Sequence, residues 1–180
     1  RIAYLAGVAP ESRETVCDRL AWYVLAHGQK GIPLRNEYII TTLTEAYRRA
    51  PSQADGLPTH LHSTIHRLLS LGVTALLCEH DQLAFEAALA CRELGIAVPG
   101  RLSICGFDNS EWAHMLPEQI TTIEQDMEQV GAQAAALLLG GASRQPFEAA
   151  QLVIPTRFIP GGTTGSAPEQ ETNAEGVNDP

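Results

Sequence analysis

A doubly wound α/β fold built on a parallel sheet is the architecture this sequence predicts, and three observations predict it. Short apolar runs recur at residues 2 to 6, 37 to 42, 74 to 78 and 102 to 106. Amphipathic stretches long enough for helices separate them, at residues 11 to 28, 59 to 72 and 81 to 94. Several of the runs end at a glycine or a polar cluster, as strands do where they leave a sheet. Strands alternating with helices of roughly ten or more residues call for βαβ units, and right-handed crossovers then place helices on both faces.

The first strand, Ile2-Ala3-Tyr4-Leu5-Ala6-Gly7, is an unbroken apolar run of the kind found in a central strand. It follows directly on Arg1, so the chain reads as a fragment or a processed product. The helix at 81 to 94 is the clearest: Leu83, Ala84, Ala87, Ala88, Cys91 and Leu94 form one stripe, with Glu86, Arg92 and Glu93 off it. Asp81 is the expected N-cap and Gly95 the expected residue just past the C-terminus. A further helix from Met127 to Leu139 is expected to bury Val130, Ala134, Leu137 and Leu138 and to stop at Gly140-Gly141. Residues 152 to 159 read as a strand that Pro155 confines to an edge or a crossing.

Only four parallel strands precede Thr121, fewer than such folds usually carry, so the segment from Thr121 onward is expected to join partly to a second lobe. The organisation expected is a main lobe over residues 1–120, a crossover with helix and strand over 121–165, and an acidic tail over 166–180. That tail holds Glu169, Glu171, Glu175 and Asp179 with no Lys, Arg or aromatic residue, a composition that predicts disorder.

With 180 residues, 44% of them hydrophobic and 18% charged, the chain has the balance of one globular domain. A net charge of −9 with only 12 scattered Lys and Arg argues against direct nucleic-acid contact, because phosphate binding needs clustered cations. Cys17, Cys78, Cys91 and Cys105 form no C-x-x-C and read as small buried hydrophobes in a reducing cytoplasm. No apolar run approaches a membrane span, which needs about 20 residues.

His60, His62 and His66 include an i, i+4 pair, yet no Glu follows His62 as a zinc-protease motif requires, so no metal site is expected. Cys78-Glu79-His80-Asp81 contains the letters of a nucleophile and its base, but neighbours on a strand end point in different directions. Phosphate-binding glycine loops and G-x-S-x-G are missing as well. The chain is therefore read as a non-enzyme without a cofactor.

Open parallel sheets bind ligands beyond the carboxyl ends of their strands. Two polar clusters fall there, Glu79-His80-Asp81 and Asp108-Asn109. Carboxylates at such a place suit hydroxyl-rich ligands, although a capping Asp81 and a turn at Asp108 would explain the same letters. Arg19, in the first helix, either forks into the cleft or lies in solvent.

Taken in order, His80-Asp81-Gln82-Leu83-Ala84, Gly95-Ile96-Ala97-Val98-Pro99, Ile104-Cys105-Gly106-Phe107-Asp108 and Pro117 with Thr121-Thr122-Ile123-Glu124-Gln125 carry a resemblance. The sequence resembles the effector-binding half of the lactose and galactose repressor family, whose two-lobed, type I periplasmic-binding-protein-like core spans most of residues 1–164. The resemblance implies a lobe of that core with part of a second lobe. It implies effector contacts from Arg19, His80 and Asp108, cleft-shaping roles for Asp81 and Phe107, and a hinge at Thr122 and Gln125.

It also implies a cytoplasmic homodimer that senses a sugar or nucleoside and reaches DNA only through a separate amino-terminal domain. A periplasmic solute-binding protein of a transporter shares the fold and is the alternative. Three positions depart from the family pattern. His80 replaces an asparagine and, unlike an amide, takes a proton within the physiological range. Trp22 replaces a glycine, which demands room for a large ring and bears on the pose of Arg19. Thr163-Thr164 stands where an Arg-x-Ser-Thr close is customary.

Overall fold

The computed structural model describes residues 1–7, 14–41, 59–140 and 152–168. Strands β1 (Ile2–Leu5), β2 (Ile39–Ile40), β3 (Ala75–Cys78) and β4 (Ser103–Cys105) form a parallel sheet in the order β2-β1-β3-β4. Tyr4 stands opposite Ile39, Leu5 opposite Cys78, and Ala75 opposite Ser103. Helix α1 (Glu14–Lys30) joins β1 to β2, α2 (Thr59–Ser70) precedes β3, and α3 (Asp81–Glu93) joins β3 to β4.

Alternation along the strands divides the core into two layers. Ala3, Leu5, Ile40, Leu76, Cys78 and Ile104 pack with Leu61, Ile65 and Leu68 of α2 and with Leu83, Ala87 and Cys91 of α3. Their neighbours Tyr4 and Ala6 face the other way, against Tyr23 and Leu20 of α1. Helices thus cover both faces, as the apolar runs require, because a strand buried on both sides cannot alternate with polar residues.

Each of these helices ends in the same way. At α3, Gly95 takes a φ of +68°, its N–H reaches the Arg92 carbonyl, and the Ile96 N–H reaches the Cys91 carbonyl. That paired closure needs a left-handed residue, which glycine enters without a Cβ clash. The same pair of bonds follows α1 at Gly31 and Ile32, and α2 at Gly72 and Val73.

The expected strand at 37 to 42 is shorter than its apolar letters suggest, with a 3-10 turn over Asn36–Tyr38 before the two residues of β2. After β4, a 3-10 helix (Glu111–His114) leads to β5 (Thr122–Glu124), which pairs antiparallel with β6 (Arg157–Ile159). Pro155 precedes β6, so the strand begins only beyond the proline. Bridges from Cys105 to Thr121 and from Asp108 to Glu124 lay β5 parallel beside the end of β4.

The returning chain docks through Thr163. Its carbonyl accepts from Ile104 N–H at 2.8 Å, and its hydroxyl donates to the Ile104 carbonyl at 2.7 Å and accepts from Thr121 N–H at 2.9 Å. Thr163-Thr164 therefore ties the carboxyl-terminal segment to β4 and to the approach to β5.

Helix α4 (Met127–Gly140) departs from expectation. Val130, Leu137 and Leu138 are exposed, and so is Ala134. Periodicity predicts which face of a helix is apolar but not whether a partner lies against it. The side chains of Cys17 and His60, and residues 169–180 of the expected tail, fall outside the described residues.

Candidate functional site

Beyond the carboxyl ends of the strands lies a cleft of about 430 Å³, within the range of ligand sites. Arg19 of α1 reaches it from one side. Its guanidinium donates from Nη2 to Asp108 Oδ1 at 2.9 Å and from Nη1 to the Glu79 carbonyl, and it lies 4.2 Å above the Phe107 ring centroid. A planar cation held by a carboxylate, a carbonyl and an aromatic face is fixed in direction. Arg19 is thus a cleft residue and not a solvated one.

Asp108 follows β4 with a φ of +103°, and Asn109 with +51°. Non-glycine residues pay for that region of backbone space, and such strain collects where a side chain must be aimed. Asp108 Oδ1 also accepts from Gln125 Nε2 at 2.6 Å, which links the cleft to the residue just beyond β5. Asn109 donates from Nδ2 to Glu124 at 2.9 Å, while its buried Oδ1 has no hydrogen-bond partner among the described residues.

His80, and not Asp81, caps α3: its Nδ1 accepts from Leu83 N–H at 3.1 Å. The expected capping role of Asp81 is corrected by what its carboxylate does instead. It is fully buried, with Oδ1 accepting from the Thr122 hydroxyl at 2.5 Å and Oδ2 from Ser110 N–H at 2.6 Å and Ser110 Oγ at 3.1 Å. Asp81 therefore binds the start of α3 to the loop after β4 and to β5. Gly106 permits this closeness, because a Cβ there would stand 2.3 Å from Asp81 Oδ1.

All seven residues singled out in the sequence, Arg19, His80, Asp81, Phe107, Asp108, Thr122 and Gln125, fall in or next to this one cluster. Glu79, Ser110 and Trp112 also line the cleft or brace it. Ser110 and Trp112 occur in an irregular segment without periodicity, so sequence reasoning had no handle on them. Trp22 does not crowd Arg19; it is 68% exposed.

The remaining candidates lie elsewhere. His62 Nε2 sits 2.8 Å from Glu93 Oε2 on the surface between α2 and α3. Among the described residues no group of three potential ligands could hold a metal ion. Burial pushes the Cys78 thiol well above its ordinary range, and neighbouring acidic groups and thiols add to the effect. A second cavity, about 530 Å³, lies between α1 and the sheet, walled by Tyr4, Trp22, Tyr23 and Ile123, and it shares Arg19 and Glu79 with the cleft. Arg19, His27, Lys30 and Glu79 border it, but the surface it presents is almost wholly apolar.

A family model described as periplasmic binding protein-like domain matches residues 1–164. The chain belongs to the periplasmic-binding-protein-like family. Relatives of this family member among curated proteins are transcriptional repressors, which bears out the resemblance to the lactose and galactose repressors. It is 30% identical over 122 residues to the arabinose metabolism transcriptional repressor of Geobacillus stearothermophilus, covering 68% of this chain and 32% of that protein. It is 32% identical over 130 residues to the HTH-type transcriptional repressor PurR of Yersinia pestis bv. Antiqua, covering 71% and 35%. The chain thus spans about a third of the length of these relatives.

Among solved structures, a LacI family transcriptional regulator from Enterococcus faecium with bound ribose superposes with a TM-score of 0.67 at 24% identity, covering 94% of this chain and 57% of that one. This likeness establishes the periplasmic-binding-protein-like fold. Among the described residues no helix is long and apolar enough to cross a membrane.

Proposed function

We propose that this chain is the effector-sensing core of a bacterial transcription regulator, with the cleft around Arg19 and Asp108 as the effector site. The carrying observation is the Arg19–Asp108 pair, aimed across Phe107 and joined by Gln125 to the strand that leaves the lobe. Relatives named as repressors support the regulatory half of the reading, and the ribose-bound neighbour supports a sugar or nucleoside as effector.

In this reading residues 1–120 form one lobe, 121–165 cross to a second lobe and return, and 166–180 are a tail. The exposed Leu137 and Leu138 of α4 pack on that second lobe. Arg19, His80 and Asp108 contact the effector, Asp81 and Phe107 shape the cleft, and Thr122 and Gln125 act as the hinge. Effector binding shifts the population of lobe orientations in a cytoplasmic homodimer and so alters DNA affinity. DNA is held by a domain outside these 180 residues, in keeping with their charge of −9. The function is binding without chemistry.

The test is DNA binding by the full-length protein, monitored by fluorescence anisotropy on its own promoter region while sugars and nucleosides are titrated. One compound is expected to change DNA affinity about tenfold or more, a coupling within the usual allosteric range, and Asp108→Ala is expected to abolish the response. A protein that binds the compound through Asp108 but has no affinity for DNA would instead support the transporter-type solute-binding reading.

A further inference from the structure

We propose that Trp112 is a specificity-determining wall of this cleft, which takes effectors whose ring presents a flat apolar face and discriminates against open-chain polyols carrying the same hydroxyls. The proposal rests on the reading of the cleft as an effector site and adds the shape it accepts. Every other described residue bordering the cleft has a charged, imidazole, amide or hydroxyl side chain; Trp112 alone contributes an extended apolar surface. Phe107 does not supply a second one, because the Arg19 guanidinium lies over its ring at 4.2 Å from the centroid.

The indole is half-buried and held in place from two directions. Phe85 of α3 packs against it, with ring centroids 5.4 Å apart and planes tilted by 52°. The 3-10 helix that carries it, Glu111–His114, is anchored at both ends. Before it, Ser110 bonds to the buried Asp81 carboxylate through its N–H at 2.6 Å and its Oγ at 3.1 Å. Within it, Ala113 is fully buried, and its carbonyl accepts from Ile120 N–H at 2.8 Å. A side chain already fixed in this way loses little freedom when a ligand packs on it.

An indole face is electron-rich and apolar, so it favours the C–H face of a sugar ring or the flat face of a nucleobase. Hydroxyls on the edge of the same molecule then remain available to the Arg19–Asp108 end of the cleft. An alditol offers equivalent hydroxyls on a flexible chain with no fixed apolar face, and ordering that chain costs affinity. Trp112 therefore reads the ring, while the polar residues read the hydroxyls.

Fluorine NMR and calorimetry on the full-length protein labelled with 5-fluorotryptophan test this. The probes are ribose, arabinose, glucose and adenosine, with ribitol, arabitol and glucitol as open-chain counterparts. The Trp112 resonance, assigned by its loss in Trp112→Phe, is expected to shift on saturation with a cyclic member that binds. That member is expected to bind at least about tenfold more tightly than its alditol, and Trp112→Ala to narrow the ratio to about threefold or less, whereas Trp112→Tyr, which keeps a ring, should preserve most of it. If adenosine is the member that binds, Trp112→Ala should weaken it about tenfold, and weak binding of ribose would place the base and not the sugar on the indole. Thermal melting accompanies the titrations, and if Trp112→Ala fails to fold, the fluorine shift in the otherwise wild-type protein decides. A Trp112 resonance unmoved at saturation, or a ring preference untouched by Trp112→Ala, overturns the role of Trp112 while leaving an Asp108-dependent effector site standing. No binding by any member overturns the effector reading and this proposal with it.

Discussion

Asp108 combines an unfavourable backbone with side-chain bonds from Arg19 and Gln125, and Gly106, two residues earlier, makes room for the neighbouring Asp81. Gly106→Ala would drive a methyl into Asp81 Oδ1, at 2.3 Å, and against Ala84 at 3.3 Å. Overpacking at such a junction costs about 1 to 3 kcal/mol, so urea denaturation is expected to show a loss of that size, with weakened effector binding. The same neighbourhood marks the limit of reading single residues from sequence. An aspartate before an apolar stripe looks like a cap, and here that bond belongs to His80. Asp81 is free to turn toward Ser110 and Thr122 because the loop after β4 folds over the start of α3, a tertiary contact to which local spacing is blind.

At the scale of elements, α1, α2, α3 and the strands between them were legible because both ingredients are local: an apolar period and a terminating glycine. Burial of α4 was not, since it depends on a partner. Cysteine placement follows from the same strands and helix. Burial pushes Cys91 up to about 12 and Cys105 up to about 11, and raises Cys78 well above its ordinary value. Thiolates are the reactive form, so at pH 8 alkylation of these three, followed by peptide mass spectrometry, should be slow in the native protein and fast in denaturant. The β5–β6 ladder carries a titration. Glu124 accepts from Arg157 at 2.7 Å and from Asn109 at 2.9 Å, and these bonds, that to Arg157 first, hold its carboxyl below the usual range. A depressed pKa stabilises the folded state above the ordinary glutamate value, about 4.3, and the contribution is lost as pH falls through the folded value. Amide exchange at Ile123 and Phe158 should therefore accelerate, beyond its intrinsic pH dependence, as pH falls below about 4. Glu124→Gln should remove that acceleration.

For the molecule as a whole, the order of motifs carried more information than any one of them. A polar pair after β3, a glycine turn, a Gly-Phe-Asp strand end and a threonine pair at a crossover are each common, yet in sequence they bring seven named residues to one end of a parallel sheet. The fold that results has an acidic cleft, a strand β5 bonded to that cleft at its start through Asp81 and just beyond its end through Asp108, and exposed apolar side chains on α4. Those features suit the proposed sensor, in which a ligand would grip one lobe and β5 would report the event to another. The most direct measurement is calorimetric titration of the full-length protein and its Asp108→Ala variant with the effector found in the proposed DNA-binding assay. Loss of charge-assisted hydrogen bonds worth about 1.5 to 3 kcal/mol predicts an affinity at least about tenfold weaker in the variant, with folding retained by thermal melt. An unchanged affinity would contradict the assignment of this cleft as the effector site.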